Sequence, residues 1–280
     1  MKSKTISKEI AAKIESWLIS ISDEALAKDL REGVIVTGGC ITSMFLKEAV
    51  NDYDIYLNSP VLAFRLASYY AKQLEDADII LRCTFADGSI EDLAIDEKCP
   101  AKLERVEIFI SSDGIHKPEL EENKSHQVAF VSSNAITLTD KIQIILRFAG
   151  DPEEIHSNYD FAHATNYWTH ETGLITNTKA LECILSKELI YRGSKYPLSS
   201  IFRTRKFIQR GWSCHVGNYL KMAMQLNALD LTDVDVLREQ LTGVDSAYLA
   251  NLITALSGRD ENITGDYVCK IIDRMLGETD

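Results

Sequence analysis

One short stretch constrains the fold of this chain more than any other, because it places a glycine turn and a helix between two strands. Val34-Ile35-Val36 has the apolar, β-branched composition of a short buried strand. Thr37-Gly38-Gly39 ends that strand and begins a helix predicted from Cys40 to Val50. Asn51 to Leu57 then alternates between polar and apolar residues, which is typical of a second strand. A unit of this kind needs a sheet with helices packed on it, and it predicts an α+β fold.

The same periodicity, followed along the chain, predicts two domains. Apolar residues recur at helical spacing from Ser7 to Ile21, and Ser22-Asp23-Glu24 then resembles the cap of a second helix. Further strands of a mixed sheet are predicted at 79–84, 106–110, 127–131 and 159–168, whereas 138–148 fits a helix or a strand. From Lys179 onward the pattern is mainly helical. We therefore predict a mixed-sheet domain over residues 1–178 and a helical domain over residues 179–280.

Bulk properties exclude several classes of protein. No apolar run approaches the ~18 residues that a membrane helix needs, and the amino terminus does not resemble a secretory signal. The six cysteines are scattered without zinc-ligand spacing, which is typical of reduced thiols in a cytoplasmic protein. The formal net charge of −12 disfavours broad, sequence-blind binding to DNA. The composition therefore predicts a cytoplasmic globular protein without a membrane span.

Two carboxylates in the second predicted strand are the leading candidate site residues. Residues at i and i+2 of a strand point to the same side, so Asp52 and Asp54 share one face. Carboxylates paired in this way suit Mg²⁺, or Mn²⁺ in its place, bound to nucleotide phosphates. Upstream, Gly38 and Gly39 allow close approach to a helix N-terminus, whose exposed N–H groups favour a phosphate.

The order of these motifs resembles the signature of the DNA polymerase β nucleotidyltransferase superfamily. The segment VIVTGGCITSMFLKE followed by NDYDIYL has the Gly-Gly helix start and the D-x-D strand, in the local form of tRNA nucleotidyltransferases and poly(A) polymerases. The resemblance implies transfer of a nucleoside monophosphate from an NTP to an acceptor hydroxyl, with Asp52 and Asp54 as metal ligands. Thr42 and Ser43, in the first turns of the helix, would add hydroxyl groups to the phosphate site.

One departure from that pattern concerns the acceptor. The arginine that many tRNA nucleotidyltransferases carry shortly after Gly-Gly is absent, with Ser43 and Met44 in that region. We expect an RNA 3′ end, tRNA above all, as the acceptor. The alternatives are a protein or small-molecule hydroxyl, and a non-catalytic nucleotide-binding module that keeps the fold.

The superfamily usually has a third carboxylate, and two residues are candidates for it here. Asp160 lies in the predicted 159–168 strand, where Ala162 and Ala164 would share its face and leave room for a ligand. Glu107 lies closer in sequence to the first pair. We favour Asp160.

A basic segment late in the chain is the candidate second contact for a nucleotide or an RNA. Residues 192–210 contain six basic side chains and no acidic one. Within that segment, Arg203 and Lys206 are i, i+3 neighbours that could serve one phosphate group together. The alternative is an amphipathic helix with a solvated cationic face. Lys141 and Arg147 are weaker candidates for phosphate contact.

Overall fold

The structure, a computed structural model, describes residues 1–74, 79–109, 115–116, 125–231, 233–241 and 270. The chain forms two compact units, which are described separately. The first consists of Met1–Ser157 and His163–Ile184, and the second of Asn158–Ala162 and Leu185–Asp280. The predicted boundary at 178 coincides with the start of a helix, Thr178–Ser186, and the predicted helical stretch 244–276 lies outside the described residues except for Lys270.

The first unit combines helices with two sheets, as the sequence predicts. Its helices are α1 (Ser3–Ile19), α2 (Glu24–Gly33), α3 (Gly39–Leu46), α4 (Pro60–Ala71), α5 (Pro152–Ser157) and α6 (Thr178–Ser186). Its strands are β1 (Val34–Thr37), β2 (Tyr53–Leu57), β3 (Ile80–Phe85), β4 (Ile90–Ala94), β5 (Leu103–Phe109), β6 (Ile115–His116), β7 (Val128–Val131), β8 (Ala135–Leu138), β9 (Ile142–Ala149), β10 (Tyr167–Thr169) and β11 (Gly173–Ile175). The chain is therefore an α+β protein.

The larger sheet is mixed, which confirms the fold class. Its strand order is β11-β10-β1-β2-β9-β8-β7-β6, and β2 runs antiparallel to β1 but parallel to β9. The smaller sheet, β4-β3-β5, is antiparallel. Because β2 lies between β1 and β9, residues at the start of β2 lie beside the end of β1 and the start of β9.

The amino-terminal helices pack on the hydrophobic core of the first unit. In α1, Ile6, Ile10, Ile14 and Trp17 are buried at a spacing of three or four residues, so one helix face supplies the core contacts. Asp23 caps α2 by accepting a hydrogen bond from the Leu26 N–H at 2.9 Å, as the sequence indicated. The glycine that ends α2, Gly33, leads directly into β1.

The second unit is mainly helical over its described residues. It contains α7 (Pro197–Gln209), α8 (Val216–Leu226), α9 (Val234–Gln240) and a parallel pair of short strands, β12 (Glu188–Leu189) and β13 (Ser213–Cys214). The basic segment around Arg203 is thus a helix, α7, that exposes Lys206 and buries Thr204.

Two sequence predictions need correction or resolution. In the ambiguous 138–148 segment, Leu138 ends β8, a turn follows, and the chain from Ile142 is a strand, β9, in which Ile142, Ile144 and Leu146 alternate into the core. The predicted 159–168 strand is wrong: only β10 is extended, and Ala162–Ala164 forms a 3-10 helix. Residues 160–163 are all buried, so the alternation between two strand faces that the prediction assumed does not exist there.

Candidate functional site

The Gly-Gly turn joins β1 to α3 in a conformation that requires glycine. Gly38 has φ 91° and ψ −147°, a region that residues with a Cβ rarely adopt. Its N–H donates to the Ala164 carbonyl at 3.2 Å, which fixes the turn. Gly39, the first residue of α3, is exposed, and a Cβ added there would meet no atom within 4 Å. The start of α3 is therefore open to a ligand, and its helix dipole favours an anion.

The sheet brings the two aspartates to this turn. The pairing of Val36 with Ile55 places the end of β1 beside the start of β2. Asp52 is exposed immediately before β2, and Asp54 is half-buried within it. Ile55 is fully buried in the core of the first unit, and Tyr53 packs against that core. The strand therefore directs Tyr53 and Ile55 inward, and the alternation of strand side chains puts Asp54 on the other side. Asp52 precedes the strand, so a shared face with Asp54 stays a prediction.

Electrostatics links Asp54 to the first turn of α3. Burial, together with the negative charge of Asp54, raises the pKa of the Cys40 thiol to about 12. The Cys40 Sγ lies 3.7 Å from the Thr37 carbonyl oxygen, to which it donates. The Asp54 carboxylate therefore lies near Cys40, in the first turn of α3. The raised pKa also keeps Cys40 protonated, which makes it a poor nucleophile.

Lys141 is a cation at the same edge of the sheet. The Tyr53 N–H donates to the Lys141 carbonyl at 2.7 Å, and the Lys141 ammonium donates to the Val50 carbonyl at 2.8 Å. Both contacts hold the segment that carries Asp52. The sequence made Lys141 only a weaker candidate for phosphate contact, because no local motif connects it with Asp52, some ninety positions earlier. The parallel pairing of β2 with β9 brings the two segments together.

The two hydroxyl residues predicted to contact phosphate are both buried. Thr42 is completely buried, and its Oγ1 donates to the His163 carbonyl at 3.1 Å. Ser43 is 7% exposed, and its carbonyl accepts from the Glu48 N–H at 2.9 Å. The Thr42 hydroxyl therefore ties α3 to a neighbouring segment of the same unit, and a phosphate contact for either residue stays a prediction.

Asp160 is placed in the second unit, where it is paired with another predicted site residue. Its Oδ2 accepts from the Ser200 Oγ at 3.0 Å and from the Arg203 Nη1 at 2.6 Å. Its carbonyl accepts from the Arg192 N–H at 2.8 Å. Asp160 and Arg203, predicted separately as a metal ligand and a phosphate contact, thus form an ion pair with each other. Their roles at a nucleotide remain predictions.

The remaining predicted residues lie on separate elements. Glu107 is on β5 in the smaller sheet, where it forms an ion pair with Arg105. Lys206 is exposed on α7, and Arg147 is half-buried on β9. Within the described ranges, no group of three or more His, Cys, Asp or Glu side chains is arranged to hold a metal ion. The structure therefore brings together Gly38, Gly39, Asp52 and Asp54, with Lys141 beside them.

The donor set at this edge suits magnesium bound to a nucleotide. Carboxylate oxygens are hard ligands, and Mg²⁺ in proteins is usually held by one or two carboxylates while substrate phosphates and water complete its coordination. Asp52 is exposed, so its oxygens are accessible, and Asp54 is half-buried beside the open start of α3. Two carboxylates next to an open helix start fit this requirement for a nucleotide-bound metal ion.

In the part of the chain that the structure describes, no helix combines the length and apolar character needed to cross a bilayer. The described cysteines, Cys40, Cys83, Cys99, Cys183 and Cys214, are free thiols.

Comparison with solved structures finds CCA-adding enzymes among the similar chains. The Thermotoga maritima CCA-adding enzyme complexed with tRNA matches 87% of this chain and 54% of its own length, with 14% identity and a TM-score of 0.40. A tRNA-processing enzyme with CTP matches 91% and 56%, with 14% identity and a TM-score of 0.38. The Bacillus stearothermophilus CCA-adding enzyme in complex with CTP matches 89% and 54%, with 11% identity and a TM-score of 0.38. The chain thus spans about half the length of these proteins.

Sequence comparison identifies the family. No curated protein matches the chain. The sequence profile of the Gabija anti-defense 2 family matches residues 8–187, which include all of α2 to α6 and β1 to β11. Because this match covers more than half of the 280 residues, the chain belongs to the Gabija anti-defense 2 family.

Proposed function

We propose that the protein is a divalent-metal-dependent nucleotidyltransferase. One observation carries the proposal: β1 pairs with β2 so that the end of β1, where α3 begins, lies beside the start of β2, which contains Asp54 and directly follows Asp52. The effect of Asp54 on the pKa of Cys40 supports this arrangement, because it requires Asp54 to lie near the first turn of α3. A phosphate chain bound at that turn would lie beside both carboxylates.

Each residue then has a defined task. The N–H groups at the start of α3 bind the triphosphate, and Gly39 leaves room for it. Asp52 and Asp54 would hold Mg²⁺ or Mn²⁺, and a metal ion bound there would neutralise phosphate charge and lower the pKa of the attacking hydroxyl. Lys141, fixed at the same edge by its contact with Val50, adds a positive charge near the phosphates. Catalysis is mainly positioning and charge neutralisation.

The reaction is a substitution at the α-phosphate of an NTP. The acceptor oxygen forms a bond to the α-phosphorus while the bond from that phosphorus to the bridging oxygen of the β-phosphate breaks. Pyrophosphate leaves, and the proton of the acceptor hydroxyl passes to solvent. Asp160 and Glu107 remain the two candidates for a third metal ligand, and Arg203 and Lys206 remain candidates for contact with the pyrophosphate.

Two classes of acceptor are supported by different observations. The basic segment of the second unit favours an RNA 3′ end, which is the acceptor that the sequence predicts. The family name, which describes action against the Gabija defence, favours instead a hydroxyl on a protein of the system that is counteracted. The net charge of −12 also agrees with a protein acceptor.

A label-transfer experiment tests the reaction and the acceptor together. The protein is incubated with each α-³²P-labelled NTP and Mg²⁺ or Mn²⁺, in extracts of cells with and without a Gabija system. We expect label on RNA or on a polypeptide, and its loss with Asp52→Asn/Asp54→Asn. The matched control, Asp87→Asn/Asp96→Asn, removes two exposed carboxylates of the same unit and should retain transfer.

The outcomes separate the alternatives. Label on a polypeptide only in Gabija-containing extract supports the protein acceptor, and label on RNA in both extracts supports the RNA acceptor. NTP binding without transfer to any acceptor would replace this proposal with a non-catalytic nucleotide-binding module. Asp160→Ala and Glu107→Ala test the third ligand, because full metal-dependent turnover in both variants would exclude both residues.

A further inference from the structure

A loop in the second unit is pinned to α8 at two points. The Asn218 side chain accepts from the Tyr191 N–H at 3.1 Å and donates to the Leu189 carbonyl at 2.8 Å. Two turns later, the Gln225 Oε1 accepts from the Tyr191 hydroxyl at 2.5 Å and from the Ser194 N–H at 3.3 Å. The 189–194 loop is therefore held along its length by two amide side chains from one face of α8.

A cleft of about 300 Å³ lies between this loop and α8. Its lining residues are Tyr191, Arg192, Gly193, Lys221, Met224 and Gln225. Lys221 lies three residues after Asn218 and four before Gln225, so it shares the helix face that contacts the loop. The pinned loop holds Arg192 on the opposite wall. Two cations thus line one cleft, from two elements whose relative position is fixed by hydrogen bonds.

The charge around the cleft contrasts with that of the whole chain. The lining residues include two cations, Arg192 and Lys221, and no acidic residue, whereas the complete chain has a net charge of −12. A cationic cleft in an acidic protein creates a local positive potential that attracts an anionic partner. Two cations from separate elements favour a partner with more than one phosphate over a single isolated phosphate group.

The surface next to the cleft is apolar. Leu220 is 61% exposed and Met224 is 77% exposed, and they are i, i+4 neighbours on α8 beside Lys221. Cations next to exposed apolar side chains match a partner that presents phosphates and unpaired bases side by side. A compact polyphosphate offers the charges without the bases.

We propose that this cleft binds the phosphodiester backbone of a single nucleic-acid strand, with Arg192 and Lys221 as its phosphate contacts. The bases of the strand contact the adjoining Leu220 and Met224. The proposal rests on the cleft itself and not on nucleotidyl transfer, since it requires neither Asp52, Asp54 nor an NTP. A failure of one proposal is therefore distinguishable from a failure of the other.

Fluorescence anisotropy with the 280-residue chain and a labelled single-stranded oligonucleotide of mixed sequence, without NTP, tests the proposal. We expect Arg192→Ala/Lys221→Ala to weaken binding by about tenfold and to reduce the slope of log affinity against log salt concentration by about 1.4, or ~0.7 for each lost phosphate contact. The charge-preserving variant Arg192→Lys/Lys221→Arg should retain most of the affinity. Lys8→Ala/Lys28→Ala, which removes two exposed cations from α1 and α2, should bind like the unchanged protein.

Competition and controls decide between partners. Unlabelled oligonucleotide should displace the probe, whereas tripolyphosphate and polyglutamate at equal charge should not. Three results would each overturn the proposal. Tripolyphosphate could compete as well as the oligonucleotide, polyglutamate could bind in preference to it, or Arg192→Ala/Lys221→Ala could leave the oligonucleotide affinity unchanged. Circular dichroism checks that the variants are folded, and binding should persist in Asp52→Asn/Asp54→Asn.

Discussion

The two adjacent glycines before α3 provide a test that separates backbone conformation from ligand access. Gly38 has φ 91°, so Gly38→Ala must place an L-residue in a conformation that costs about 1–3 kcal/mol. For a unit of this size, that loss lowers the melting temperature by about 2–12 °C. Gly39 is already helical and an added Cβ has open space, so Gly39→Ala should leave stability unchanged or raise it by up to ~1 kcal/mol.

Gly39→Ala, which should not lower stability, is the variant that should weaken nucleotide binding. A methyl group at Gly39 occupies the open face at the start of α3, where a phosphate must approach the N–H groups. A hydrogen bond to a charged group is worth about 1.5–3 kcal/mol, so losing one weakens NTP binding by about 10- to 150-fold. Gly39→Ala should therefore be as stable as the unchanged protein but bind NTP poorly.

Thermal unfolding followed by circular dichroism, and calorimetric titration with NTP and Mg²⁺, measure both quantities. Gly217→Ala is the matched control, because Gly217 also lies in the first turn of a helix, α8, and its added Cβ would be 3.5 Å from the nearest atom. It should leave NTP affinity unchanged. If Gly39→Ala binds NTP as tightly as the unchanged protein, the phosphates do not bind at this turn and the proposed site is wrong.

Three further predictions concern buried polar groups. Asp160→Ala should lower the free energy of unfolding by about 2 kcal/mol, which is less than for a fully buried ion pair because Arg203 is 37% exposed. In a double-mutant cycle measured by urea unfolding, Asp160→Ala and Arg203→Ala should have non-additive effects on that free energy. Additive effects would refute the coupling of the two side chains. Burial lowers the pKa of His126, although the charge of Asp140 opposes the shift. His126 therefore contributes stability that is present above its unfolded pKa of about 6.5 and is lost as the pH falls through the lower folded value. His126→Asn should flatten the stability profile below about pH 6.5, and an unchanged profile would exclude this role. Trp17→Phe should lower the free energy of unfolding, measured by chemical denaturation, by about 1–3 kcal/mol, because the buried Tyr70 hydroxyl loses the Trp17 Nε1 donor at 2.8 Å. An unchanged unfolding midpoint would contradict this account.

The sequence was most informative where a signal lies within one element. The apolar spacing of α1, the Asp23 cap of α2 and the strand β2 each depend on residues a few positions apart, and each appears in the structure, although Ile55, Tyr56 and Leu57 in β2 are all buried rather than alternating. The same local logic failed from Tyr159 to Trp168, where consecutive residues are buried by contacts with a distant segment. The isolated bridge between Phe161 and Tyr191 is one such contact.

For this protein, the sequence by itself determined the α+β class and the local order of the Gly-Gly turn and the D-x-D strand. Only the tertiary structure decided that Lys141 lies beside Asp52, that Asp160 pairs with Arg203, and that Arg192 and Lys221 line one cleft. The reason is physical. Side-chain direction within a helix or strand follows from its own repeat, whereas contacts between elements depend on strand pairing and packing, which no local repeat specifies.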